Sequence, residues 1–529
     1  MKKKTAGGNV VRKFIENAER NPEKPAIIHH TKELGHATVS YGELVRGVEV
    51  MAERFRGRGI GKGDRVVVFI PMSIELYRAV LALFYIGAVA VFIDAWGGIR
   101  RLNQACEIAR PKGFIGSPKA QILMLASHLR RVAVKMIEPQ PFAYQRKKMD
   151  DTIARPAGSA VPEHLNDDDE ALVTFTTGST GRPKAARRTH GFLRVQHEVL
   201  TRSLGLERDD VDLTTLPIFL LNNLAAGITS VIPRFDPARP GEVDAPLILD
   251  QIKRFSVTTS AGSPAFYEGL AADLLETGRR VYMRKLFVGG APVYPANAKM
   301  FRDAFPGAEV LAVYGSTEAE PISELPVEEV IASDVADGLP VGRKIRDVEL
   351  RIIRPVDGPV EPGAKGLRGF FARKGDIGEI ILCGPHVLKE YLNSPEDFRM
   401  NKIVDGKKIW HRTGDAGRLA EDGSLFFYGR VKNRIAAGSG SVYTLPLEIA
   451  LRGINGVTAA ALIEVHGGAC AFLETRSGLP RAREEYIAGT AKKMLRGHGD
   501  IAIQLIDRIP RDPRHNSKVD YDKLRKIFG

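Results

Sequence analysis

The sequence predicts an α/β protein: a large N-terminal part of parallel and mixed sheets with flanking helices, then a small α+β C-terminal unit. Three observations predict it. Short β-branched runs alternate with helical patterns over the first 150 residues. An apolar strand, Ala171-Leu172-Val173, runs into a loop of hydroxyl residues and glycines. After Gly429-Arg430 the pattern changes to shorter strands and helices, enough for a separate unit of about a hundred residues. At 529 residues the chain has room for roughly three or four domain-sized units. The expected division is 1–430 and 431–529.

Element by element, residues 65–70 form a β-branched run that Pro71 breaks. Ser73 can cap a helix through Leu76, Val80, Leu83 and Phe84, Gly87 ends it, and residues 90–93 form another buried strand. This is a βαβ unit, whose home is a mostly parallel sheet. The glycine-rich stretch 57–63 follows a helix and precedes a strand, the reverse of a dinucleotide fingerprint, so it reads as a helix C-cap and turn. Residues 140–170 are polar and end in four acids, which suits a surface connection. Residues 355–376, rich in Gly, Pro and basic side chains, read as a mobile excursion between strands.

Cys106, Cys383 and Cys470 are far apart, with no CxxC pair and no Cys/His cluster, which argues against a disulfide framework or a structural zinc site. Lys2, Lys3 and Lys4 precede no apolar core, so no secretory signal is expected. The apolar stretch 79–93 has 15 residues, short of the ~20 that span a bilayer. A cytoplasmic protein is expected, with peripheral membrane contact left open. The 77 Lys and Arg exceed the 63 Asp and Glu, giving a formal +14 that raises nucleic acid as a partner. Half of that excess lies in the last hundred residues and forms no continuous basic stripe. Without such a stripe, no nucleic-acid partner is expected.

The strongest local signal covers residues 174–184: Thr176, Thr177, Gly178, Ser179, Thr180, Gly181, then Lys184. Glycines let backbone N–H groups approach an anion, hydroxyls add donors, and a lysine neutralises phosphate charge. The spacing is not that of a Walker A loop.

Here the chain resembles the adenylate-forming superfamily of acyl-CoA synthetases, luciferases and peptide-synthetase adenylation domains. Residues 173–184 suit its phosphate loop. Gly289-Gly290-Ala291-Pro292 is similar to its adenine-side segment, and Tyr314-Gly315-Ser316-Thr317-Glu318 to its YGxTE motif. Gly378-Glu379-Ile380 and Tyr391-Leu392-Asn393 resemble the next strand pair. Thr413-Gly414-Asp415 resembles the TGD motif, Gly429-Arg430 with Lys432 the hinge, and Asn516-Ser517-Lys518 the C-terminal lysine segment. The resemblance implies a β-barrel-like subdomain within the large domain and the two cofactors ATP and Mg²⁺. It implies Glu318 and Thr180 at Mg²⁺, Lys184 as phosphate counter-charge, and Asp415 on the ribose hydroxyls. Lys518 would lie nearest the attacking carboxylate, on a unit that closes over the site. Taken singly, Asp415 could be a turn residue, Lys518 a solvated lysine and Glu318 a carboxylate at a helix N-terminus.

Other segments resemble a narrower group, the β-lactone synthetases of long-chain olefin biosynthesis: residues 92–94, 113–120, 216–220, 231–233, 262–265, 409–412 and 514–518. Ala436 stands where acyl-CoA ligases carry a lysine after the hinge, and the loop there is longer, uncharged and small. Residues 94–98 and Asn222-Asn223 depart from the group's pattern. The resemblance implies adenylation of a 2-alkyl-3-hydroxy acid whose own hydroxyl then closes a four-membered lactone, releasing AMP. The tethered nucleophile replaces a co-substrate by effective concentration. The alternative is a fatty acyl-CoA ligase, the one case that needs CoA, or an acyl-AMP ligase loading a carrier protein. A basic, non-enzymatic scaffold is the remote one. Pathway enzymes are conceivable partners in a multienzyme assembly. An apolar acyl pocket is expected from Phe219, Leu220, Leu221, Asn223, Leu224, Gly262 and Ser263. His190, His197, His411 and His515 are candidate general bases by proximity to motifs.

Overall fold

The computed structural model describes residues 8–31, 35–93, 98–138, 161–177, 182–237, 239–363, 366–437, 440–476, 478–511 and 518–529. Gly178, Ser179, Thr180, Gly181, His515, Asn516, Ser517 and residues 94–97 lie outside the described residues, as does most of the connection 140–170.

The predicted βαβ unit sits in a six-stranded sheet. Its order is Val134–Ile137, Gly113–Gly116, Arg65–Phe69, Val89–Phe92, Glu170–Thr177 and Pro183–Thr189. The first five are parallel, and the last returns antiparallel. Ser73 Oγ accepts from the N–H of Leu76 and starts the helix Ile74–Tyr85. That helix is buried nearly all round, which matches its apolar sequence. Its one buried cation, Arg78, is paired with the buried Glu138. Gly87 has φ +72°, and a Cβ there would meet Leu165 at 2.9 Å, so this turn needs glycine for both conformation and space.

Among the described residues fourteen strands join in a larger sheet. One half is an α/β layer in which Pro25–Thr31, Thr229–Ile232, Val211–Thr214, Thr259–Gly262, Lys285–Gly289 and Glu309–Ser316 run parallel. The other half is antiparallel: Ala319–Pro326, Leu339–Lys344, Ser424–Arg430, Lys408–Leu419, Gly378–Cys383 and Glu349–Ile353. Ile322 and Leu350, from opposite ends of this antiparallel run, share one apolar cluster with Ile380, Leu382 and Leu425. The run therefore bends round on itself as the barrel-like subdomain.

The stretch 355–376, read from sequence as a mobile excursion, is anchored at several of its described residues. Val360 and Leu367 are buried against Ile353, Ile381 and Trp410. Arg412 also donates to the carbonyls of Val356 and Gly358. Two apolar residues and one arginine outweigh a loop-like composition.

The C-terminal part has a three-stranded sheet of Val457–Val465, Gly468–Thr475 and Ile501–Ile506. Alternate residues serve its two faces. Leu462 and Leu473 pack with Ile487 of the helix Arg481–Met494, and Ile463 and Phe472 pack with Leu524 of the helix Tyr521–Phe528. This is the expected small α+β architecture.

Candidate active site

Neighbouring parallel strands end in register, with Gly262 beside Val288 and Gly289 beside Val313. Gly262-Ser263, Gly289-Gly290 and Tyr314-Gly315-Ser316 therefore share the carboxyl edge of the sheet, where open α/β sheets form ligand crevices. A Cβ on Gly289 would stand 3.1 Å from the Val313 carbonyl, and Gly290 has φ +82°. Ala291 and Pro292 follow, half-buried, in the connection to the next helix. Ser316 Oγ is buried without a hydrogen-bond partner among the described residues, an open donor at this edge.

At one end of the edge stands Asp415, on the strand Lys408–Leu419. Tyr314 Oη donates to its Oδ2 at 2.6 Å and Arg430 to its Oδ1 at 2.8 Å. Arg430 also holds the Thr413 carbonyl at 2.7 Å. Each carboxylate oxygen keeps a second lone pair, so two adjacent hydroxyls can still be bound.

The other end is built on the hairpin of Glu170–Thr177 and Pro183–Thr189, which sets Thr176 opposite Lys184 and Thr177 opposite Pro183. Lys184 is buried. Its Nζ donates to Asn401 Oδ1 at 2.8 Å and lies 5.8 Å from the Tyr391 ring centroid. Burial lowers its pKa, while Asp397 and Glu318 act against that. Thr317 and Glu318 form the two-residue turn between Glu309–Ser316 and Ala319–Pro326. Glu318 Oε1 accepts from Tyr391 Oη at 3.1 Å, and its carbonyl accepts from the N–H of Leu388 at 2.7 Å. The buried Arg188 ties the hairpin to this turn, donating to Thr174 Oγ1 at 2.6 Å and to the Thr317 carbonyl at 2.7 Å.

Lys402, 2% exposed, donates to the Leu388 carbonyl and lies 5.2 Å from the same Tyr391 ring. Burial pushes its ammonium down to about 7, partly offset by Glu318. Sequence reasoning missed Arg188, Asn401 and Lys402. Lys402 is placed by strand pairing, opposite His411 on the strand that carries Asp415.

Among the described residues no three His, Cys, Asp or Glu side chains cluster as a metal cage. A half-buried Glu318 carboxylate beside buried cations, with Asp397 near the same lysine, suits Mg²⁺ arriving with phosphates, because that ion takes one or two carboxylates plus phosphate oxygens and water.

An apolar cavity of about 50 Å³ lies between the helices Val11–Arg20, Ile74–Tyr85, His190–Leu204 and Pro217–Ala226. Ile218, Leu221, Asn222 and Ala225 face it, at the i, i+3, i+4, i+7 spacing of one helix face. Of the expected pocket residues Leu221 faces this cavity and the others do not. Phe219 packs on Ala261, Phe287 and Leu311, beneath the sheet edge, and Leu220 packs in the core with Leu224. Asn223 is turned into a polar core network, donating to Asp212, Thr214 and Ser230. Ser263 Oγ caps the helix Pro264–Thr277, and a Cβ on Gly262 would lie 3.0 Å from Thr215 Oγ1.

Of the three described candidate histidines, His197 lines the cavity, with Nδ1 2.9 Å from Asn222 Oδ1. His411 is buried with Nδ1 3.3 Å from the Asn401 carbonyl, and burial lowers its pKa well below the usual range. His190 is buried and accepts from the N–H of Val10. Lys432 pairs with Asp522 at 2.9 Å, and Lys518 stands exposed just before the bridge of Arg511 with Val519.

A family model described as AMP-binding enzyme matches residues 14–392. The chain is 32% identical over 512 residues to an olefin beta-lactone synthetase of Stenotrophomonas maltophilia, covering 92% of this chain and 90% of that protein. It is 33% identical over 521 residues to an olefin beta-lactone synthetase of Xanthomonas campestris pv. campestris, with the same coverage. Its fold superposes on ATP-bound MatB from Rhodopseudomonas palustris with a TM-score of 0.79, at 23% identity and 98% of each chain.

Proposed function

The chain belongs to the AMP-binding enzyme family and is an ATP-dependent adenylate-forming ligase, and on that premise we propose that it converts a long-chain 2-alkyl-3-hydroxy acid to a β-lactone. The observation that carries this reading is the similarity, over nine-tenths of both chains, to two olefin beta-lactone synthetases. Ala436, in place of the lysine expected in a thiol-using ligase, supports it.

In the first step the acid's carboxylate oxygen attacks the α-phosphorus of ATP and pyrophosphate leaves. Asp415, steadied by Tyr314 and Arg430, would hold the ribose hydroxyls. Lys184 and the phosphate loop would oppose the charge that develops on phosphate. Glu318 would hold Mg²⁺, which when bound neutralises phosphate charge. Lys518 would come to the attacking carboxylate as the unit 431–529 swings at Lys432 over the domain 1–430. In the second step the substrate's own 3-hydroxyl attacks the acyl carbonyl, the C–O bond to AMP breaks, and the hydroxyl proton passes to a base. His197 is the described histidine that faces the cavity.

The deciding experiment is mass detection of products from ATP, Mg²⁺ and a racemic 2-alkyl-3-hydroxy acid without CoA. A lactone with one AMP and one pyrophosphate per turnover is expected. Product appearing only when CoA or a carrier protein is added would replace this reading with the acyl-CoA or carrier-loading one.

A further inference from the structure

We infer that Lys402 is a positioning residue for the Glu318 carboxylate, and the inference rests on the reading of Glu318 as the Mg²⁺ residue given above. Two routes lead from the Lys402 ammonium to Glu318. Along the main chain, Nζ donates to the Leu388 carbonyl, and the Leu388 N–H donates to the Glu318 carbonyl at 2.7 Å. Through side chains, Nζ lies 5.2 Å from the centroid of the Tyr391 ring, whose hydroxyl donates to Glu318 Oε1 at 3.1 Å. Residues 318, 388, 391 and 402 thus close a circuit around the turn that carries the carboxylate.

The chemistry of the circuit favours a lysine over a space-filling side chain. An ammonium buried to 2% exposure is costly unless hydrogen bonds and nearby negative charge compensate it. The Leu388 carbonyl, the ring face and the Glu318 charge supply that compensation. Lys184 is 5.8 Å from the same ring, so Tyr391 is gripped by two cations, one belonging to the phosphate hairpin and one to the strand beside Asp415. Lys402 is too buried to reach substrate itself. It acts by fixing the ring and the backbone that aim Glu318, as outer partners of a metal ligand do.

The test measures Mn²⁺ binding by electron paramagnetic resonance with ATP saturating and no acid, alongside the Mg²⁺ dependence of pyrophosphate exchange. Glu318→Gln is the reference and should weaken Mn²⁺ binding. Lys402→Met should weaken it about tenfold, the lower end of the usual effect of removing such an outer partner. It should raise the Mg²⁺ concentration needed for half-maximal exchange more than it lowers the maximal rate. Lys402→Arg should retain more affinity than Lys402→Met, whereas a packing role would rank them the other way. If Lys402→Met does not fold, Lys402→Gln carries the comparison. Unchanged Mn²⁺ affinity in the folded Lys402 variant, with Glu318→Gln impaired, overturns the inference and leaves the Glu318 reading intact. Unchanged affinity in Glu318→Gln overturns both.

Discussion

Tyr314 and Asp415, 101 residues apart in sequence, meet through a 2.6 Å hydrogen bond from the phenol to the carboxylate. Arg430 takes the other oxygen, so the carboxylate is held from both sides. A hydrogen bond to a charged group contributes roughly 1.5–3 kcal/mol. Tyr314→Phe should therefore lower ATP affinity at least about tenfold, the equivalent of ~1.4 kcal/mol. Calorimetric titration with ATP measures this. Unaltered affinity would show that Asp415 needs no support from Tyr314.

Lys518→Ala should separate binding from chemistry. The lysine lies in the C-terminal unit, remote in sequence from the residues that would hold ATP, so Lys518→Ala should leave ATP affinity within a factor of about two. Pyrophosphate exchange should fall on the order of 10²-fold or more, the scale of removing one group that meets charge in the transition state. Exchange surviving at the original rate would remove Lys518 from adenylation.

The Lys432–Asp522 pair bears on the hinge. Its side chains are 46% and 60% exposed, and Asp522 is shared with Arg525. Exposed pairs of this kind contribute about 0–1 kcal/mol, little enough to break in a domain swing. Asp522→Asn should change unfolding free energy by less than about 1 kcal/mol. It should nevertheless alter the ratio of adenylation rate to AMP release, measured by single-turnover quench. A ratio identical to that of the unaltered chain would mean that the contact plays no part in the swing.

The sequence carried the parallel core well, because β-branched runs and glycines such as Gly87 act locally. The motifs around Thr176, Glu318 and Asp415 stood out for a similar reason, since few residue types would suit the phosphate and diol contacts proposed for them. The cavity was not. The helix Pro217–Ala226 is apolar at most positions, so its sequence does not say that 218, 221, 222 and 225 face the space while 219, 220 and 223 turn elsewhere. Arg188 and Lys402 carried no sequence signal, because their partners, Thr317 and Leu388, are fixed only by tertiary pairing.

His190 gives the chain a pH dependence whose sign is fixed by burial. Its Nδ1 accepts from the N–H of Val10 at 3.2 Å, its Nε2 has no partner among the described residues, and its ring meets Phe84 edge-on at 5.8 Å. Burial pushes its pKa from 6.5 to about 4, so the folded chain keeps it neutral at neutral pH. Above pH 6.5 neither state is protonated at this residue and stability is insensitive to it. Between 6.5 and about 4 the unfolded chain takes up a proton that the folded chain refuses, so folding free energy falls by up to about 1.4 kcal/mol per pH unit. His190→Asn keeps an acceptor for Val10 but has no titrating ring. Denaturant melts at pH 7, 5.5 and 4.5 should show the variant losing less stability on acidification than the unaltered chain. Parallel losses in the two proteins would mean that His190 is protonated in the fold as readily as in the unfolded chain.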